Sequence, residues 1–292
     1  IGRKVLIIVE NLPVPFDRRV WQEARTLRDA GAQVVIICPI GKGYESRHET
    51  LEGIHIYRHT LPTEGSNAIG YLLEYAAALF WESWLAWKIL FRHGFDTIHG
   101  CNPPDLIFLV AWPFRLFGKR YLFDHHDINP ELYEAKFNRR DVFWRLMRLF
   151  EWLTFKSART VISTNESYKA IAIGRGGKRP EDVFVVRSGP DLSRVKTVPP
   201  DPALKRGRRF LVGYVGVMGE QEGIDLLLES VRYLVQARQR DDIHFVLVGG
   251  GTSLAGMRQL AEDKGIADYV TFTGRAPDET LFTALSTADV CV

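Results

Sequence analysis

The run Phe210–Asp225, FLVGYVGVMGEQEGID, decides the fold. Phe210, Leu211, Val212, Tyr214 and Val215 form a short apolar, β-branched run, as a strand buried on both faces of a parallel sheet requires. Gly216, Gly219 and Gly223 then punctuate a turn. From Ile224 the apolar residues Leu227, Leu228, Val231, Leu234 and Val235 recur at three- and four-residue steps, the period of a helix. Backbone N–H groups of a glycine turn between strand and helix approach a phosphate closely, and the positive end of the helix dipole favours its charge. An ordinary turn with no ligand is the alternative, because lone glycine patterns are weak signals.

Outward from this stretch the alternation repeats. Strand Ile243–Val248 leads into a second glycine turn, Gly249-Gly250-Gly251, and helix Ser253–Lys264. Strand Val270–Phe272 ends at Gly274-Arg275, helix Glu279–Thr287 follows, and Asp289–Val292 begins another strand. Towards the N-terminus, Pro190–Gly207 is rich in proline and charge and reads as a domain linker. This gives domains at 1–190 and 209–292, joined by 191–208.

The first domain opens with strand Lys4–Glu10, a proline-rich loop, helix Arg18–Ala30 stopped by Gly31, and strand Gln33–Cys38. Buried strands separated by a helix mean a parallel sheet. G-x-G-x-x-G is absent after the first strand, which argues against an NAD or FAD domain. Ile54–His59 is a third strand. Helix Tyr71–Phe91 carries Phe80, Trp81, Trp84, Trp87 and Phe91. Glu74, Glu82 and Lys88 interrupt it, so it does not span a membrane. It either covers the core or presses an aromatic face into a membrane interface.

Strand Thr97–His99 delivers the loop Cys101–Asp105, CNPPD, and helix Leu106–Phe117 follows. Strand Arg120–Phe123 delivers Asp124-His125-His126-Asp127 to its carboxyl end, where open parallel sheets bind ligands. This cluster is the catalytic candidate of the first domain. A zinc site or a polar loop are the competing readings, and zinc finds no spaced partner ligand in the sequence. Amphipathic helix Val142–Lys156, strand Thr160–Ser163, helix Asn165–Ala172 and strand Val183–Val186 complete the domain.

The 292 residues exceed one typical core and suggest two domains. At 46% hydrophobic residues, global disorder is excluded. A net charge of +3 is too small to argue for nucleic acid. Cys38, Cys101 and Cys291 are odd in number and lack metal spacing, so they read as free thiols of a reducing cytosol. No signal-peptide pattern is present. The chain starts at Ile1 and stops at Val292 within a strand-like run, so both ends read as cut.

The ordered set of pieces resembles the retaining glycosyltransferases of the GT-B architecture, in particular glycosyltransferase family 4. The pieces are FDRRVWQEARTLRDAG with VVIICP, FDHHDINPELY, FEWLTFKSARTVISTNES, GYVGVMGEQEGID, FVLVGGG, VTFTGR and STADVCV. The resemblance implies an α/β fold of two Rossmann-like domains, their parallel sheets facing across a cleft, with the second domain incomplete. It implies transfer of a sugar from a UDP- or GDP-sugar to a glycan or lipid-linked acceptor in cell-surface polysaccharide synthesis, with no metal and no cofactor beyond the donor. Consistently, there is no Asp-x-Asp pair. It implies a cytoplasmic protein, peripheral on the inner membrane face through 71–91.

Carried over residue by residue, His126 lies against the transferred sugar beside Asp127. Gly249 and Gly251 match the glycine turn of the nucleotide domain, beside Gly216, Gly219 and Gly223. Gly274 and Arg275 match the loop that contacts the base. Gly189 and Asp191 match the hinge, with Ser188 in place of the usual asparagine.

Two departures stand out. Val217 and Glu222 replace the arginine and lysine that hold the diphosphate, which leaves Arg18, Arg19, Arg187 and Arg275 as substitutes, Arg275 first. The family's glutamate pair falls beyond Val292, so about a hundred further residues and an inactive truncated chain are expected. A non-catalytic nucleotide-sugar-binding or scaffolding protein and a GT-B epimerase are the alternatives.

Overall fold

The computed structural model describes residues 2–61, 68–190 and 195–292, with backbone alone at 68–74. The hinge residue Asp191 and the side chains of Tyr71–Glu74 therefore lie outside the described residues. The chain forms two compact units, Ile1–Ser188 and Gly189–Val292.

The N-terminal unit runs β1 (Lys4–Val9), α1 (Arg18–Asp29), β2 (Gln33–Pro39), β3 (His48–Leu51), β4 (Ile54–His59), α2 (Ala68–Arg92), β5 (Thr97–Cys101), α3 (Ile107–Arg115), β6 (Arg120–His125), α4 (Asn129–Phe137), α5 (Val142–Ser157), β7 (Thr160–Ser163), α6 (Glu166–Gly174) and β8 (Val183–Val185). The sheet order is β3-β4-β2-β1-β5-β6-β7-β8. Every pairing is parallel except β3 with β4. Successive strands extend leftward from β1 and then rightward from β5, so the order reverses between those two.

Alternation along the strands sorts two cores. Leu6, Ile8, Ile98, Tyr121 and Phe123 face α2, α3, α5 and α6. Val5, Ile7, Val9, Ile36 and Cys101 face α1, which packs Val20 and Ala24 onto them. Asp17 starts α1 by accepting from the N–H of Val20 at 3.0 Å. Helix α2 covers the sheet with Leu85, Ala86 and Ile89, and Trp87 packs on Phe114 at 4.6 Å between centroids. Phe80, Trp84 and Phe91 on the same helix are exposed. Of the residues that interrupt it, Glu82 is buried, and burial raises its carboxyl well above the ordinary carboxylate range. No described helix is long and apolar enough to cross a membrane.

The C-terminal unit runs β9 (Phe210–Val215), α7 (Ile224–Arg232), β10 (Ile243–Val248), α8 (Leu254–Asp263), β11 (Val270–Gly274), α9 (Asp278–Thr287) and β12 (Val290–Cys291). Its parallel sheet is ordered β11-β10-β9-β12. The helical period that begins at Ile224 is α-helical to Arg232 and continues as a π turn, Tyr233–Ala237. Within the stretch read as linker, the N–H groups of Val198 and Asp201 donate to Ser286 and Thr287 of α9, and Leu204 packs beside Leu211.

Candidate active site

Register places the site. Cys101 of β5 pairs with Asp124 of β6. Both lie on the α1 side of the sheet, because Phe123 points to the other core. His99 lies two residues before Cys101 and shares its face. From α1, Arg19 and Glu23 reach the same spot, being one helical turn apart. Glu23, His99, Cys101 and Asp124 hold their polar atoms within 4.8 Å of one another. Zinc's missing partners are thus supplied by tertiary structure. However, Arg19 Nη2 already sits 2.8 Å from Asp124 and 3.1 Å from Glu23. A fixed cation there offsets the Asp124 charge and opposes a metal ion.

Asp124 is fully buried. Burial alone would raise its carboxyl, but hydrogen bonds from His126 at 2.5 Å and His99 at 3.3 Å hold it well below the usual range. Glu23 goes the other way. Burial and the Asp124 charge push it up to about 9. Its oxygens lie 3.1 Å from Arg19 Nη2 and 3.5 Å from His99 Nε2. One carboxylate is thus ionised and its neighbour protonated at neutral pH.

Nε2 of His126 lies 2.5 Å from Asp124 Oδ2 and 2.7 Å from Arg19 Nε. A single ring nitrogen cannot donate to one and accept from the other at once. Which of the two it serves depends on the ring's tautomer, and both partners lie on the Nε2 side in either case. That leaves Nδ1 of His126 with no partner among the described residues. Arg19 also donates from Nη1 to the Val186 carbonyl at 2.8 Å and to Ser188 Oγ at 3.0 Å.

The backbone carrying His126 is fixed by a buried amide. Asn102 Oδ1 accepts from the N–H of His126 at 2.6 Å and of Asp127 at 3.1 Å, while its Nδ2 donates to the Asp127 carbonyl at 2.7 Å. Asn102 Nδ2 also donates to Asp105 at 3.0 Å. Asp105 accepts from Asn129 at 2.8 Å, and its carbonyl accepts from Thr154 of α5 at 2.9 Å. Burial pushes the Asp105 carboxyl up to about 7 against these hydrogen bonds. Asp127 is half-buried, and burial raises its carboxyl. Arg18 and Arg187 are exposed. Of the two adjacent arginines, Arg19 belongs to the cluster and spends its donors on protein acceptors.

Glu23, His99, Cys101, Asn102 and Asp105 were missed as site residues in the sequence. The only signal available was the position of CNPPD at the end of a strand next to the one bearing Asp124.

In the C-terminal unit three turns interlock at the carboxyl ends of β9, β10 and β11. The N–H of Gly249 donates to the Gly274 carbonyl at 3.0 Å, and the N–H of Met218 donates to Gly250 at 2.9 Å. A Cβ on Gly249 would lie 1.8 Å from the Gly216 carbonyl oxygen, and one on Gly251 would lie 2.2 Å from that of Met218. These glycines are demanded by backbone packed on backbone. Gly223 adopts φ +68°, and Gly274 φ +69°. A Cβ on Gly250 would sit 3.6 Å from Arg275 Cβ, so the exposed Arg275 borders this turn. Gly219 starts the short turn Glu220–Glu222 ahead of α7. Glu220, Glu222 and Asp225 place three carboxylates in that region.

Two such units, each a parallel sheet with helices packed on it, are those of a GT-B glycosyltransferase. Residues 17–194 match Glycosyltransferase Family 4 and residues 199–292 match Glycosyl transferases group 1. The chain belongs to Glycosyltransferase Family 4. Over 110 residues it is 34% identical to a GDP-mannose-dependent alpha-(1-6)-phosphatidylinositol monomannoside mannosyltransferase of Mycobacterium tuberculosis, a match covering 35% of this chain and 27% of that protein. It thus spans about a quarter of that relative's length. Among solved structures, a sucrose-phosphate synthase from Thermosynechococcus elongatus superposes with a TM-score of 0.74 at 19% identity, covering 99% of this chain and 74% of that one. HepE of Anabaena in complex with UDP does so at 0.69 and 17%, covering 99% and 73%. At these identities the likeness establishes the fold.

Proposed function

We propose that the chain is part of a retaining glycosyltransferase that moves a sugar from a UDP- or GDP-sugar to a glycan or lipid-linked acceptor in cell-surface polysaccharide synthesis. The observation that carries this reading is the Asp124–His126 pair at the carboxyl end of β6. Asp124 fixes the Nε2 side of the ring, so Nδ1 is the atom offered to substrate. A hydrogen bond there accommodates charge as the sugar ring gains positive character. Arg19 stabilises Asp124 and does not clamp the donor. In the C-terminal unit the donor diphosphate rests on turn N–H groups beside Arg275, with no metal and no further cofactor. The protein works in the cytoplasm, beside the membrane that holds the acceptor.

Titration calorimetry with UDP, GDP and ADP tests the donor half. Selective binding by one nucleotide, weakened by Arg275→Ala, is expected. No binding to any of the three overturns the donor reading. Transfer assayed with and without His126→Ala tests the other half: the variant binds nucleotide normally and transfers at least about a hundredfold more slowly. Undiminished transfer removes His126 from the chemistry. A non-catalytic nucleotide-sugar-binding protein is the second reading, favoured by the acidic turn Glu220–Asp225, and it predicts binding without transfer.

A further inference from the structure

Helices α3 and α5 turn large apolar side chains outward. Leu109 and Trp112 of α3 and Leu116 at its C-cap recur at helical spacing along one face, and Phe117 follows. Trp112 is 62% exposed, Leu116 88% and Phe117 60%. On α5, Leu146, Leu149 and Trp152 form a second exposed stripe, while Phe150 and Leu153 pack inward. The two helices touch one another. A soluble surface rarely leaves so many large apolar groups exposed on two touching helices without a partner.

The carboxyl ends of the same two helices flank an open cavity of about 620 Å³. Its walls carry Arg115, Lys119, Arg120, Lys156, Arg159 and Arg179, against the single acid Asp182. Arg179 is neutralised by Asp182 at 2.8 Å and Glu181 at 3.4 Å. None of the other five cations forms an ion pair among the described residues. Lys156 lies one turn beyond Trp152, its Nζ 5.8 Å from the indole centroid. Cation and aromatic therefore emerge side by side, as they do at a headgroup boundary.

We propose that the outer faces of α3 and α5, with the basic cavity between their carboxyl ends, dock the protein on an anionic lipid bilayer. Acyl chains take Leu116, Phe117, Trp112 and Trp152, and headgroup phosphates take the cations. A single-stranded nucleic acid also likes basic grooves with aromatics, but it needs flat stacking partners. Leucines are four of the seven residues of these stripes and offer none. The cavity lies at the amino end of β6, where Arg120 begins the strand, and the Asp124–His126 pair lies at its carboxyl end. Docking thus leaves the candidate active site unobstructed, and the inference holds whatever reaction that site performs.

The test is co-sedimentation of the whole chain with vesicles of phosphatidylcholine alone or mixed with phosphatidylglycerol. Binding only to the anionic vesicles, weakening with salt, is expected. The variant Lys119→Ala/Lys156→Ala/Arg159→Ala binds about a hundredfold more weakly, at about a factor of five per cation. Trp112→Ser/Trp152→Ser, checked for folding by circular dichroism, also loses affinity. Equal binding to both vesicle types, or unchanged binding by the charge variant, overturns the proposal. So does tighter binding to a single-stranded oligonucleotide than to anionic vesicles. Phe80→Ser/Phe91→Ser on α2 separates this surface from an α2 contact: if it abolishes binding while the α3/α5 variants keep theirs, the docking face is α2 and the proposal fails.

Discussion

The side-chain oxygen of Asn102 accepts from the backbone N–H of His126 at 2.6 Å, and its amide nitrogen donates to Asp127 and Asp105. Asn102 is buried, so nothing else satisfies these groups on its removal. Asn102→Ala is expected to lose about 1–3 kcal/mol of stability by urea titration. Asn102→Asp replaces the donor by a carboxylate against Asp105 and is expected to cost more. If either variant is as stable as the parent, the loop holds His126 without this amide.

Arg19 and the buried Asp124 form an ion pair at 2.8 Å. Arg19→Ala strands a buried carboxylate and is expected to cost about 3–5 kcal/mol. Arg19→Lys keeps the charge but not the fork that reaches Asp124, Val186 and Ser188, so it recovers only part of the loss. A double-mutant cycle with Asp124→Asn reads the coupling directly. Additive losses would mean the two residues act independently.

The acid and base sides of the stability profile have opposite causes. His125 sits among Phe123, Phe155 and Tyr168 at 5.1–5.5 Å, and burial pulls it down to about 4. The native state then binds fewer protons than the unfolded chain, so stability falls as pH drops from about 6.5 towards 4. His125→Phe suits the cage and is expected to flatten that fall, with about 1 kcal/mol gained. Glu23, at about 9, binds its proton more tightly when folded, so its contribution is lost as pH rises from about 4.5 through 9. Glu23→Gln is therefore expected to gain on the parent steadily over that window. A pH-independent difference would place Glu23 at an ordinary carboxylate value.

What the sequence made legible was whatever repeats locally. The alternation in Lys4–Val9, the helical period after Ile224 and the punctuating glycines all report on neighbouring residues, and the strands and helices follow them. His48–Leu51 was not legible because this edge strand is exposed and has no apolar face to announce it. The exposed stripes on α3 and α5 were not legible, since pattern alone does not distinguish a core face from an uncovered surface. At the site, DHHD was visible as a cluster, and the family resemblance singled out His126. Glu23 and His99 meet Asp124 only through sheet register and the crossing of α1, which no short window contains. The glycines at 249 and 251 were legible as turn residues, but not the reason for them, which is the backbone of Gly216 and Met218.

That reason makes two glycines of the C-terminal unit respond oppositely to the same change. A methyl on Gly249 meets the Gly216 carbonyl at 1.8 Å, in a residue held at φ +146°. The turns after β9 and β10 would have to separate, breaking the hydrogen bonds between Gly249 and Gly274 and between Met218 and Gly250. Gly249→Ala is expected to cost at least about 3 kcal/mol. Gly256 lies inside α8, and nothing stands within 4 Å of the position its Cβ would take. Gly256→Ala is therefore expected to stabilise by about 0.5–1 kcal/mol through helix propensity alone. Urea midpoints of the two variants against the parent check both signs. A mild Gly249→Ala would mean that this turn yields, and that its glycines are kept for a ligand's approach instead of for packing.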